Sequence, residues 1–93
     1  MTKRTEARVA RMIEQARIAG WEVTREVEDG MEYVSFDGGF YTDRFMVGSQ
    51  VKPGGRTFVV RVTGGTVNTE VTLRQVELRL AYAAAAATAE AAA

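Results

Sequence analysis

Arg4, Arg8 and Arg11 stand at intervals of four and three residues, and Gln15 follows four further on. In a helix those intervals bring all four side chains onto one stripe, because positions three and four apart are surface neighbours. No carboxylate interrupts that line. Guanidinium groups offer planar forks of N–H donors that match carboxylates and phosphates, so the stripe is a candidate surface for acidic groups on a protein or for a nucleic-acid backbone. The arrangement opposes helix formation slightly, by ~0.2–0.5 kcal/mol for each like-charged neighbour pair. Lys3 and Arg4 also lie at the end of the helix where the dipole disfavours cations. The bland alternative is a solvated face, neutralised across adjacent turns by Glu6 and Glu14.

Other sets are weaker. Lys52-Pro53-Gly54-Gly55-Arg56 places a glycine-rich turn between two cations, where backbone N–H groups can meet a phosphate. It lacks the Gly-x-x-x-x-Gly-Lys-Ser/Thr pattern and opens no helix, so a plain turn is the favoured reading. Glu26, Glu28, Asp29 and Glu32 crowd one hairpin without the spacing of a calcium loop. Carboxylates there also discourage edge pairing. Asp37 and Asp43, with Tyr33, Ser35 and Tyr41, come nearest to a carboxylate catalytic set, but no spacing rule supports them. Rings such as Trp21, Tyr33 and Phe58 can stack on bases from a sheet face, although so short a chain needs most of its aromatics inside.

Neither histidine nor cysteine occurs among the 93 residues. That removes the usual general base, the commonest transition-metal ligand and the strongest ordinary nucleophile. The expectation is a non-enzymatic chain with no catalytic residues, no cofactor and no metal site. Twelve Lys and Arg balance twelve Asp and Glu, so any electrostatic partner must be found by a local patch rather than by a field over the whole molecule. The lack of cysteine suits a reducing compartment. No apolar run approaches the ~20 residues needed to span a bilayer, and Met1 to Glu6 leads into a charged helix rather than an apolar signal core. A cytoplasmic protein without a cleaved leader and without a membrane partner is expected.

The elements that must position these side chains follow from periodicity. Val9, Met12, Ile13, Ala16 and Ala19 recur at helical spacing, which predicts a helix over 3–19 ended by Gly20. From Trp21 the period changes to two, with Val23 and Val27 on the same face. Asp29-Gly30 signals a hairpin, with a return strand from Met31 to Asp37. Phe40 to Val47 reads as a further strand, and Gly48 to Gly55 as a loop in which Pro53-Gly54 suits a type II turn. In Thr57 to Thr63, Phe58, Val60 and Val62 are expected to face the core. Gly64-Gly65 then turns the chain into Thr66 to Val71. Thr72-Leu73-Arg74-Gln75 matches a capping box and opens a helix over 72–88, with a frayed alanine-rich tail at 89–93.

These elements make one domain of residues 1–93, in the α+β class: an antiparallel sheet of four or five strands over 21–71, with both helices on one face. This helix, sheet, helix order resembles the double-stranded-RNA-binding-like topology. That family has a Gly-Pro-x-His loop and a Lys-Lys-x-Ala-Lys start to its last helix. Here Gly64-Gly65 and Thr72-Leu73-Arg74-Gln75-Val76 stand in those places, so RNA binding does not follow from the resemblance. With ten Arg against two Lys and much Ala, Gly and Val, the composition resembles that of small orphan proteins of actinobacteria and their phages.

Leu78 and Tyr82 project away from the Leu73, Val76 and Leu80 stripe of the second helix, and Ala85 and Ala89 extend their line. Either another chain covers them, as in a homodimer through paired C-terminal helices, or they lie beneath the Phe40 to Val51 segment. The functional expectation is a regulatory protein-binding module, homodimeric and of the kind by which a phage modulates a host protein. Its contacts would be Arg4, Arg8, Arg11, Gln15, Leu78 and Tyr82. The alternative is a nucleic-acid-binding accessory protein using Arg4, Arg8, Arg11, Lys52 and Arg56.

Overall fold

A computed structural model describes residues 1–64 and 66–93, with the backbone alone at Val67 and Asn68. Helix α1, Lys3–Ile18, begins where the Thr2 hydroxyl accepts a hydrogen bond from the Thr5 N–H at 3.2 Å. Five strands follow: β1 (Glu22–Glu28), β2 (Met31–Asp37), β3 (Arg44–Gln50), β4 (Thr57–Thr63) and β5 (Thr66–Glu70), before helix α2, Leu73–Ala92. The strands form one antiparallel sheet in chain order. The β1–β2 turn places both Asp29 and Gly30 at positive φ, the geometry that twists a two-residue hairpin correctly and for which Asp-Gly is suited. The Gly64-Gly65 turn lies in part outside the described residues.

One core holds the two layers together. Val9, Met12, Ile13 and Ala16 of α1 and Val76 and Leu80 of α2 pack on Val34, Phe36, Phe45, Val47 and Val59. Cross-strand register aligns Val23, Phe36 and Phe45, and also Val34, Val47 and Val59, on that one face. The helices therefore share a face, as the stripe pattern implies. β1 lies at the margin of this cover, so Val23 is only half-buried and Val27 is 67% exposed.

Three details differ from the sequence reading. The Phe40–Asp43 segment is a turn, closed by a 2.9 Å bond from the Asp43 N–H to the Phe40 carbonyl. β3 accordingly starts at Arg44 and continues through Gly48 to Gln50. In β4 it is Val59 that joins the core, whereas Phe58 and Val60 fall on the outer face. The reason is close approach: Phe58 lies over Gly48, where a Cβ would come within 2.3 Å of the ring. A glycine at Gly48 thus makes a seat for an aromatic side chain outside the main core. Third, α2 continues to Ala92 rather than fraying after Thr88. Alanine has the highest helix propensity, and the Thr88 hydroxyl bonds the Ala84 carbonyl at 2.9 Å. The capping box forms as expected, with Gln75 N–H to Thr72 Oγ1 at 3.1 Å and Thr72 N–H to Gln75 Oε1 at 2.8 Å.

Opposite sides of α2 should respond differently to truncation. Leu80 is fully buried and Leu78 is 53% exposed. Leu80→Ala is expected to lower unfolding free energy by ~2–5 kcal/mol, and Leu78→Ala by no more than ~0.5 kcal/mol, measured by urea denaturation.

Candidate functional site

The helices pack against each other as well as on the sheet, and their seam gathers the arginines. From α1, Arg8 reaches across: its Nε donates to Glu77 Oε2 at 3.1 Å while its Nη2 donates to Oε1. A fork of this kind fixes orientation as well as charge. Arg4, Ala7 and Arg11 line the α1 wall of the resulting hollow, of about 430 Å³, and Arg74 and Glu77 line the α2 wall. The seam continues into a notch of about 160 Å³, where Met12 and Gln15 face Leu78 and Ala81. The expected stripe of Arg4, Arg8, Arg11 and Gln15 therefore lies along one groove, and Leu78 stands beside it.

The electrostatics of the groove are unbalanced: four guanidinium groups, of Arg4, Arg8, Arg11 and Arg74, surround the single carboxylate of Glu77. The Arg8 hydrogen bond holds the Glu77 carboxyl below the ordinary glutamate range. Partial burial opposes that shift, and the charges of Arg8, Arg74 and Arg11 reinforce it. Among the described residues no ion pair engages Arg4, Arg11 or Arg74. All three are exposed. The groove can therefore accept further negative charge. Arg74 and Glu77 were not singled out in the sequence. Their spacing with Leu78 and Ala81 marks one face of α2, but only docking against α1 makes that face part of a groove.

Tyr82 is elsewhere. Arg79 bonds Asp43 through Nε and Nη2, at 3.0 and 2.9 Å. Its guanidinium lies 5.3 Å from the Trp21 ring centroid and 5.8 Å from that of Tyr82. Trp21 in turn stacks on Phe45. This clamp ties the turn between β2 and β3 to α2, yet leaves Tyr82 72% and Leu78 53% exposed. Neither is covered by the Phe40 to Val51 segment.

Lys52 and Arg56 lie in the β3–β4 turn, whose Val51 and Pro53 face Met1 and Lys3 at the start of α1. The turn uses its own donors. Gly55 N–H bonds the Lys52 carbonyl at 3.0 Å, and Arg56 N–H bonds Gln50 Oε1 at 3.1 Å. Neither Lys52 nor Arg56 lines the groove.

The carboxylate sets do not converge. Asp43 is held by Arg79, while Asp37 accepts the Gly39 N–H at 2.8 Å and pairs with Arg44 at 3.5 Å. Glu32 pairs with Arg25 at 3.0 Å. Among the described residues no group of three acidic side chains is placed to hold a metal ion, and no helix is long and apolar enough to cross a membrane. A hollow of about 510 Å³ between α1 and the β1–β2 hairpin is lined by Glu6 and Arg17 from the helix and by Arg25 and Glu32 from the strands, so its side-chain charges balance. No protein family, curated protein or solved structure matches the chain.

The Arg8–Glu77 pair should give stability a pH dependence of definite sign. Because the Glu77 pKa is lowered on folding, its contribution is complete above the ordinary glutamate value and is lost as pH falls through the lowered one. In urea unfolding from neutral pH down through the carboxylate range, Glu77→Gln is expected to be less stable at neutral pH and to show a flatter profile.

Proposed function

We propose that this chain is a non-enzymatic protein-binding module whose interhelical groove receives an acidic segment of a protein partner. The observation that carries this reading is the convergence of Arg4, Arg11 and Arg74, each without an ion-pair partner among the described residues, on one seam beside exposed Leu78. A segment bearing carboxylates and one apolar side chain would complement both parts. Arg8, held by Glu77, positions the seam and shares the field. Gln15 adds an amide that can donate or accept. Such a module regulates by occupying its partner, and self-association is one way to supply the acidic segment.

Nucleic acid is the competing ligand class, since the same arginines can contact phosphates. Lys52 and Arg56 do not line the groove, which weighs against one continuous phosphate track. Salt and sequence distinguish the two classes. A labelled peptide of about 12 residues, with glutamates at helical spacing and one leucine, is expected to bind in fluorescence anisotropy. Arg11→Glu/Arg74→Glu should weaken it at least about tenfold, which is ~1.4 kcal/mol. Leu78→Ser should weaken it by a smaller factor. If the parent binds a short DNA or RNA duplex better than this peptide, with log K falling by ~0.9 per phosphate contacted for each decade of salt, the nucleic-acid reading replaces this one.

A further inference from the structure

The formal charge balance conceals a segregation between layers. α1 and α2 together carry seven Lys and Arg against four Glu, a net of +3. The five strands carry three Arg against six Asp and Glu, a net of −3, and the loops balance. Within the sheet the unpaired carboxylates gather on one side. Register places Glu22, Glu26, Glu28 and Glu70 on the face turned away from the helices. All four are exposed, and none is in an ion pair among the described residues. Arg44 on that face is already paired with Asp37.

Apolar groups accompany both charges. Tyr33 is the register partner of Glu26 and meets Phe58 edge to face at 6.4 Å between ring centroids. Phe58 is 39% exposed on the outer sheet face, as Leu78 is 53% exposed beside the arginine groove.

We propose that the acidic segment received by the groove is the outer sheet face of a second copy of this chain, bound head to tail. Glu26 and Glu28, flanked by Tyr33, meet Arg4, Arg11 and Arg74, flanked by Leu78. This rests on the reading of the groove as a seat for carboxylates and names its occupant. Glu26 and Glu28 are ~7 Å apart along a strand and Arg4 and Arg11 ~10 Å apart along a helix, a difference that flexible arginine stems can absorb.

Opposite layers decide the symmetry. The acidic face and the groove belong to opposite surfaces of one molecule, so no molecule fills its own groove. A two-fold pairing of helix layers would bring net +3 against +3, and a two-fold pairing of outer sheet faces, where Glu22, Glu26, Glu28, Asp37 and Glu70 are offset by Arg44 alone, would bring −4 against −4. Head-to-tail contact alone sets the layers in register with opposite charge. It leaves one free groove and one free acidic face at the ends, so it grows into chains or closes as a ring.

Sedimentation velocity across dilution tests this with two variants, Arg11→Glu/Arg74→Glu in the groove and Glu26→Lys/Glu28→Lys on the sheet. Circular dichroism checks that both fold. At ~20 mM salt the parent is expected to form species larger than a dimer as concentration rises, and to dissociate toward monomer at ~0.5 M salt, where the Debye length is only a few ångströms. Each variant alone should remain monomeric. In an equimolar mixture the parental groove of the sheet variant meets the parental sheet of the groove variant, and the now acidic groove meets the now basic sheet. The equimolar mixture should therefore recover species larger than a dimer, in which the two variants alternate.

A parent that stays monomeric at low salt, a salt-insensitive two-fold dimer, or a mixture that fails to recover species larger than a dimer would overturn the proposal. If the parent binds the acidic peptide but does not self-associate, the second copy is rejected as occupant and the groove reading stands. If neither occurs, both fail.

Discussion

Side-by-side seating of α1 and α2 on strands β2 to β4 is the contact on which the other features depend. A chain of 93 residues has apolar material for one core. Met12 of α1, Val76 and Leu80 of α2, and Val34, Phe36 and Val47 of the sheet are all buried to 2% exposure or less. Once one apolar stripe of each helix is committed to that core, the polar flanks of the stripes must face each other across the seam. Arg8 and Glu77 meet there, and Arg74 is brought beside a stripe with which it shares no sequence neighbourhood.

Guanidinium groups have two roles in this molecule. Arg8 and Arg79 are joined by paired hydrogen bonds to Glu77 and Asp43, one joining helix to helix and the other joining helix to the β2–β3 turn. In these the planar fork matters as much as the charge, and Arg79 adds stacking on Trp21 and Tyr82. Arg4, Arg11 and Arg74 have no such partner among the described residues. They bear on the surface rather than on the fold. The zero formal charge therefore describes the molecule poorly, because its helices and strands differ by six units of charge, from +3 to −3.

The outer sheet face has the opposite character. Gly48 leaves room for Phe58 to lie across β3, and Tyr33 closes against its edge. This small aromatic group explains why alternation in β4 is ambiguous: Phe58, Val59 and Val60 are consecutive, and both faces of the strand carry apolar side chains. Periodicity tells which residues share a face but not which face meets the helices. The β2–β3 turn reads as strand from sequence for a similar reason, since Phe40 and Tyr41 are apolar in kind although they are 72% and 65% exposed.

Short-range rules sufficed for every element whose cause is local. The helix stripes, the Asp29-Gly30 hairpin, the Pro53-Gly54 turn and the capping box at Thr72 each depend on backbone geometry and on neighbours within four residues, so the amino-acid order states them directly. From the same source comes the shared face of Arg4, Arg8, Arg11 and Gln15, since helical spacing alone creates it. Which side of β4 is inside, the pairing of Arg8 with Glu77 and of Arg79 with Asp43, and the entry of Arg74 and Leu78 into one groove all join residues 36 to 69 positions apart in the paired cases. Those partners are chosen by how two layers dock, a competition for one core that no local pattern encodes.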